Sequence, residues 1–237
     1  MEEINELKIG AEKMGLSVND RQMALFEAYA EALTEKNKVM NLTRITEPIQ
    51  IISDHFLDSL TVLLCAEIKK GMKILDIGTG AGFPGVPLAV MCPDNEITLM
   101  DSTGKKINFV RETCEALGIK NVRFVVGRAE EEAKGKLREK FDLVTARAVS
   151  NMNVLAELCL PFVKVRGCFA GLKSDKCGDE VREAQEKIKL LGGEKPKIRE
   201  LFNPLSGKYT CGVIIKKIGV TPRKYPRTYG EILRSRS

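Results

Sequence analysis

Two textures of apolar spacing divide the chain. From residue 1 to about 70 the apolar positions recur every three or four residues, the period of helices packed on one face. In "NDRQMALFEAYAEALTEKNKVM", Met23, Leu25, Phe26, Tyr29, Ala30 and Leu33 keep that spacing, and Asn19 or Asp20 is placed to cap the first turn. Pro48 stands near the start of a second such pattern, which runs through "IISDHFLDSLTVLLC". From Lys73 onward, short apolar runs bounded by glycine or polar clusters take over: "KILDIG", "EITLMD", "NVRFVVG", "FDLVTARA" and "GCFAGLK" predict five strands. Helical spacing returns between them in "VPLAVMC", "KKINFVRETCEAL" and "NVLAELCLPFV", and "DEVREAQEKIKLL" predicts a long charged helix. "PKIREL" and "YTCGVIIKKI" predict a closing strand pair. Strands alternating with helices imply an α/β chain whose sheet is mostly parallel and doubly wound, with an N-terminal helical extension. The expected divisions are the extension over 1–70, the sheet domain over 71–220 and a basic C-terminal tail over 221–237.

Composition narrows the setting. With 237 residues and 43% hydrophobic content, the chain supports one sizeable core. No apolar run approaches the roughly 20 residues of a membrane span, and "MEEINELKIG" has neither the basic start nor the apolar run of a signal peptide. A cytosolic protein without a membrane partner is expected. Seven cysteines, an odd number with no C-x-x-C pair, argue against a disulfide framework or a cysteine zinc site. The single histidine, His55, excludes any site that needs two imidazoles, and no metal is expected. The net charge of +6 is concentrated at the end, where Lys216, Lys217, Arg223, Lys224, Arg227, Arg234 and Arg236 face one acid, Glu231. A basic tail on a near-neutral body suits a polyanion, or is a solvated terminus. No long dimer seam is evident, and a monomer is expected.

The sharpest chemical signal is "DIGTGAGFPG" after the first strand. Gly80, Gly82 and Gly85 fit G-x-G-x-x-G, the turn that cradles a dinucleotide pyrophosphate, whereas Asp76, Gly78, Gly80 and Gly82 fit D-x-G-x-G-x-G, the spacing of S-adenosylmethionine-dependent methyltransferases. Glycines at such a turn also serve packing alone. Asp76 favours the second reading: it would oppose a phosphate but suits a ligand carrying an ammonium and a sulfonium. Phe83-Pro84 adds an apolar wall and a rigid joint. Asp101, closing the second strand, is placed for the hydroxyls of an adenosine ribose or as a cap for the following helix. Ala129-Glu130 follows the third strand, where an adenine would lie; Glu130 reads equally as the first charge of a solvated helix face.

The fourth strand end, "LVTARAVSN", is where a methyl acceptor would approach. It holds no Asn/Asp-Pro-Pro-aromatic turn of the kind used for exocyclic amines. Pyrimidine C5 methylation needs a cysteine nucleophile, and the nearest, Cys159, lies in a helical apolar stripe. An acceptor that needs no deprotonation remains, such as guanine N7, whose edge an arginine can hold together with O6. Arg147 is the one long polar side chain there, with a structural ion pair as its alternative role. His55, with Asp58 one helical turn on, either orients the N-terminal helices or lines the acceptor cleft.

"NLTRIT", "HFLDSL", "DIGTGAGFPGVPLA", "LMDSTGKK", "FDLVTARAV" and "RKYPR", in that order over about Asn41 to Arg227, resemble the bacterial small-subunit ribosomal RNA guanine-N7 methyltransferases, also called glucose-inhibited division protein B. The resemblance implies a Rossmann-like class I methyltransferase fold over 71–220, with S-adenosyl-L-methionine as cofactor. It implies methyl transfer to N7 of one guanine in the 530 loop of 16S ribosomal RNA, with that RNA or the small ribosomal subunit, not DNA, as partner. Carried over, the family's cofactor contacts fall on Gly78, Phe83, Ala129, Glu130 and Arg147; Asp76 and Asp101 join them on the physical argument, and Gly80 and Gly82 on the D-x-G-x-G-x-G spacing. Arg147 and His55 are the candidate catalytic residues, and Arg147 can serve cofactor, guanine or both. Two other readings stay open: an RNA-binding ribosome assembly factor that retains the fold, and a nicotinamide-dependent oxidoreductase built on the same glycines.

Overall fold

The structure is a computed structural model that describes residues 2–147 and 150–234. Seven strands form one sheet: β1 (Lys73–Ile77), β2 (Glu96–Asp101), β3 (Val122–Val126), β4 (Phe141–Arg147), β5 (Val163–Ser174), β6 (Lys197–Phe202) and β7 (Tyr209–Lys216). Their order is β3-β2-β1-β4-β5-β7-β6. All neighbours from β3 to β5 are parallel, and only β7 runs against its neighbours. The predicted closing pair is thus a hairpin that inserts its second strand beside β5.

Alternation along the strands splits the core into two layers. Ile74, Ile97, Leu99 and Leu143 face one apolar cluster, completed by Phe26, Tyr29 and Leu33 of the N-terminal helices. Leu75, Met100 and Val144 face the other, with Leu155, Phe162 and Ile188. Both faces of the central strands β1, β2 and β4 are covered, which is why they read as apolar runs instead of strict alternation. No helix among the described residues is long and apolar enough to cross a membrane.

The N-terminal extension is helical as expected. Helices α1 (Asn5–Lys13) and α2 (Asp20–Met40) lead into a third helical run, α3, over 48–65. Asn19 caps α2 through a reciprocal box: its side chain accepts from the Gln22 amide and its own amide donates to the Gln22 side chain, both at 2.9 Å. The apolar period gave no sign that α3 is irregular. Pro48–Gln50 start it as an α-turn, Ile51–Leu57 widen into a π-helix, and tighter turns close it. Such wide turns accompany functional sites because they re-aim side chains. The predicted long charged helix is also broken, into Gly178–Glu183 and Gln185–Leu190.

The stretch expected as a basic tail is, over 221–234, folded onto the body. Arg227 reaches fully buried Glu157 through its backbone amide, Nε and Nη2, at 2.9, 2.9 and 2.7 Å. Lys217 is buried, its ammonium donating to the Leu160 carbonyl and the Thr221 hydroxyl. Two of the seven cations therefore hold structure; Arg236 lies outside the described residues. Burial pushes the Glu157 carboxyl up, but hydrogen bonds from Arg227 and Lys187 outweigh it and hold the group below the ordinary glutamate range. A depressed carboxylate stabilises above its unfolded pKa and loses that contribution as pH falls through the folded one. Arg227→Ala should therefore cost about 3 kcal/mol at neutral pH, measured by denaturant unfolding, and the gap from the parent should narrow in acid. Equal stability at neutral pH would contradict this clasp.

Candidate functional site

Strand order reverses between β1 and β4, and ligands of doubly wound sheets gather at the carboxyl ends beside such a reversal. Two cavities open there. The first, about 230 Å³, is lined by Gly78, Asp101, Ala129 and Glu130, with Met100 and Leu158 as apolar walls. The second, about 570 Å³, is lined by Asp54, His55 and Asp58 of α3, by Arg147, and by Lys173 among others.

The glycine loop is shaped from beneath. Fully buried Asp76 accepts the Gly85 amide through Oδ2 at 2.8 Å, fastening the loop to the start of helix α4 (Gly85–Met91). A Cβ on Gly85 would collide with Leu99 and Asp76, so this glycine permits close helix–strand packing. Gly78, Gly80 and Gly82 all take positive φ, the left-handed region that favours glycine. Asp76 Oδ1 and the Thr79 hydroxyl are buried without a hydrogen bond of acceptable geometry. Burial pushes the Asp76 carboxyl up to about 7, and the nearby Thr79 hydroxyl and Gly85 amide pull it back only in part. Asp101 accepts from the Gly80 amide at 3.0 Å and from the Thr103 amide at 2.8 Å, so one carboxylate braces both the loop and the next helix. Each of its oxygens keeps acceptor capacity toward the cavity.

Gly78, Asp101, Ala129 and Glu130 thus come together as expected. Glu130 is buried, not on a solvated face. Asp76, Gly80, Gly82 and Phe83 line neither cavity; the last three belong to the loop itself, and Asp76 lies beneath it. Phe83 instead stacks on His55, ring centroids 4.3 Å apart and planes within 10°, and sits edge-on to Tyr29. Leu158 and Tyr229 line the smaller cavity without any prior signal, because only the docking of the C-terminal helix brings Tyr229 there. Cys159 is fully buried and its thiol is pushed well above the ordinary range by burial. It offers no nucleophile.

In the larger cavity Arg147 is held from three sides. Its Nη1 donates to the Asp54 carbonyl at 2.7 Å and to Asp58 Oδ2 at 3.0 Å, its Nη2 meets His55 Nδ1 at 3.0 Å, and its guanidinium lies 5.4 Å from the Phe83 ring centre. Arginine has no acceptor, so His55 Nδ1 must accept, and the ring proton must sit on Nε2. Nε2 lies 2.9 Å from the Thr43 hydroxyl and donates to it. Burial and the adjacent Arg147 charge lower the His55 pKa to about 3. Burial pushes the Asp58 carboxyl up while Arg147 opposes it. Both nitrogens of His55 are therefore committed, and the imidazole is neutral near pH 7. Because His55 is the only histidine, its nitrogen NMR signals should show one neutral tautomer, protonated at Nε2, with no titration above about pH 5. A midpoint near the ordinary histidine value would break this assignment.

Comparisons with known proteins bear on the family and the fold. Residues 22–205 match the family model described as GidB, rRNA small subunit methyltransferase G. The ribosomal RNA small subunit methyltransferase G of Lachnoclostridium phytofermentans is 44% identical over 95% of this chain and 93% of its own length. That of Clostridium novyi is 45% identical over 94% of this chain and 93% of its own. Among solved structures, a SAM-dependent methyltransferase from Aquifex aeolicus is 24% identical, with a TM-score of 0.53 over 78% of this chain and 98% of that one. A precorrin-6y C5,15-methyltransferase from Geobacter metallireducens is 15% identical, with a TM-score of 0.52 over 67% of this chain and 87% of that one. These two share the class I methyltransferase fold. The cofactor is S-adenosyl-L-methionine, and the residues fit it. The smaller cavity falls below the roughly 300 Å³ of a whole-ligand site and would take only part of the molecule, its carboxylates suiting ribose hydroxyls between apolar walls. Asp76, expected to meet the ammonium, is instead fully buried behind the loop and lines neither cavity. Fold, glycine loop and near full-length relatives place the chain in the rRNA small subunit methyltransferase G family.

Proposed function

We propose that the chain transfers a methyl group from S-adenosyl-L-methionine to N7 of a guanine in the 530 loop of 16S ribosomal RNA, by direct displacement without a general base. The RNA-methylating activity follows the names of its relatives, the small-subunit methyltransferases. The N7 acceptor rests on the chemistry of the larger cavity, and one observation carries it: each acid or imidazole lining that cavity is already paired. Asp58 accepts from Arg147, His55 is used at both nitrogens, and Asp54 accepts from Lys208 at 3.1 Å and from the Ser53 hydroxyl at 2.7 Å. A hydroxyl or exocyclic amine acceptor would need one of them to take a proton. Guanine N7 needs none, because its lone pair lies free in the ring plane.

When bound, the cofactor supplies an electrophilic methyl on a sulfonium. The chain's own contribution is placement. Asp101 and Glu130 hold the nucleoside hydroxyls and base edge, Gly78 lets backbone approach, and Asp76 fastens the loop from behind. Arg147 retains two donors, Nε–H and one Nη2–H, after its three anchoring bonds. A bidentate grip on O6 and N7 would tie up the attacking lone pair. Arg147 therefore holds O6 alone or the cofactor's carboxylate, and His55 acts as a positioning residue through it.

Incubation with labelled cofactor and small-subunit RNA from cells lacking the activity should place the label on one guanine in the 530 loop. That guanine should become sensitive to cleavage by reduction and aniline, as N7-methylation requires. Tight RNA binding without label would favour the assembly-factor reading instead, and label on an amine or a ribose would contradict the N7 acceptor. Asp101→Ala should raise the cofactor's dissociation constant about tenfold or more, as expected for hydrogen bonds to a charged group. Calorimetry showing unchanged affinity would remove Asp101 from the ribose.

A further inference from the structure

A third recess lies outside both cavities and is used by neither. It is a groove of about 890 Å³ between the last turn of α2 and the loop that follows, lined by Thr34, Asn37, Lys38, Leu42, Arg44 and Thr46 with their neighbours. This volume is near the upper end for small-molecule sites and exceeds that of the acceptor cavity beside it. The lining consists of cations, amides and hydroxyls around one leucine, with no carboxylate.

Its walls are built in advance. Asn37 donates from Nδ2 to the Thr43 carbonyl at 3.0 Å and accepts the Thr43 amide at 2.9 Å, fixing the loop to the helix. Asn41 ends α2 in the left-handed conformation, turning the chain back along the groove. The cations stay available. Arg44 is exposed and makes no salt bridge among the described residues. Lys38 pairs at 2.6 Å with Glu35, but both side chains are more than 60% exposed. Such a pair is worth little and exchanges readily for a phosphate. The amides of Arg44 and Thr46 likewise make no hydrogen bond among the described residues.

One side-chain layer separates this groove from the acceptor cavity. Thr43 lines the groove and accepts from His55, which lines the cavity. The Ile45 amide donates to the Thr43 hydroxyl at 3.1 Å, and Ile45 itself lines the cavity. A strand that delivers one base into the cavity and continues over this edge meets the groove next.

We propose that this groove binds the ribose-phosphate strand of RNA flanking the methylated nucleotide, Lys38 and Arg44 meeting phosphates and the amides and hydroxyls meeting 2′-hydroxyls. The proposal rests on the RNA substrate given above and adds where the strand runs. Sequence-tolerant contacts of this kind suit a chain with only 5% aromatic residues and no tryptophan, in which base stacking is a minor resource.

The test compares the parent with the double variant Lys38→Gln/Arg44→Gln, and with Arg223→Gln/Lys224→Gln on the exposed C-terminal segment as a control. A fluorescent RNA fragment spanning the 530 loop is titrated at several potassium chloride concentrations. The groove variant should bind about tenfold more weakly near physiological salt, with a salt slope smaller by about one to two. Its melting temperature and affinity for S-adenosylmethionine should equal the parent's, and Arg44→Lys alone should keep the parent's slope. Parent-like affinity and slope in the double variant would overturn the proposal, as would an equal loss confined to the C-terminal control. Binding is read without methyl transfer, so the two claims separate. RNA held by the groove in a protein that methylates nothing would sink the activity and leave the groove. Normal methylation with an unimpaired groove variant would do the reverse.

Discussion

The guanidinium of Arg147 is the joint on which the site depends. It stands at the end of β4, in the sheet, yet its hydrogen-bond acceptors all belong to the π-helical turn of the N-terminal extension and the residue just after it. A planar group with five donors satisfies a carbonyl, a carboxylate and an imidazole at once and still presents a free edge. A lysine in its place would supply one point charge. Stacking of Phe83 on His55 then links this joint to the glycine loop, so the loop, the strand end and the extension form one rigid wall. The extension is in this sense part of the site, not an appendage.

The same wall explains a division of labour among residues that the motif groups together. Gly78 and Asp101 face the smaller cavity, whereas Asp76 fastens the loop from beneath and Gly80, Gly82 and Phe83 shape its backbone. Loss of a buried fastener should be felt through the loop's position, and loss of a facing residue through a lost contact. The C-terminal clasp works similarly. Arg227 spends its charge on Glu157 and Lys217 on Glu139, the Leu160 carbonyl and the Thr221 hydroxyl, and the short helix Tyr229–Arg234 beyond them carries Tyr229 to the edge of the smaller cavity.

Much of this was legible from residue pattern because the relevant physics is local. Short apolar runs announced buried strands, and the Asn19–Gln22 box was foreshadowed by cap chemistry. The glycine spacing located the loop, and the family resemblance supplied the fold and the cofactor. What stayed hidden is set by tertiary packing. The π-helical widening of 51–57 has ordinary helical spacing and shows only where Asp54, His55 and Asp58 converge on Arg147. The last segment read as a basic tail, for a polyanion or for solvent, because charge counts do not reveal that Glu157, in an apolar helix, awaits Arg227. His55 looked equally fit for structure or chemistry until its two ring nitrogens were seen to be occupied.

The central claim is that the acceptor arrives with its own electrons and no side chain has to take a proton. Single-turnover methyl transfer to saturating RNA, measured from about pH 6 to about pH 8.5, tests it most directly. The account predicts a rate that stays level across the range, since guanine N7 gives up no proton when it takes the methyl. A rate that climbs tenfold per pH unit to a plateau would contradict it, because one deprotonation would then limit the chemistry.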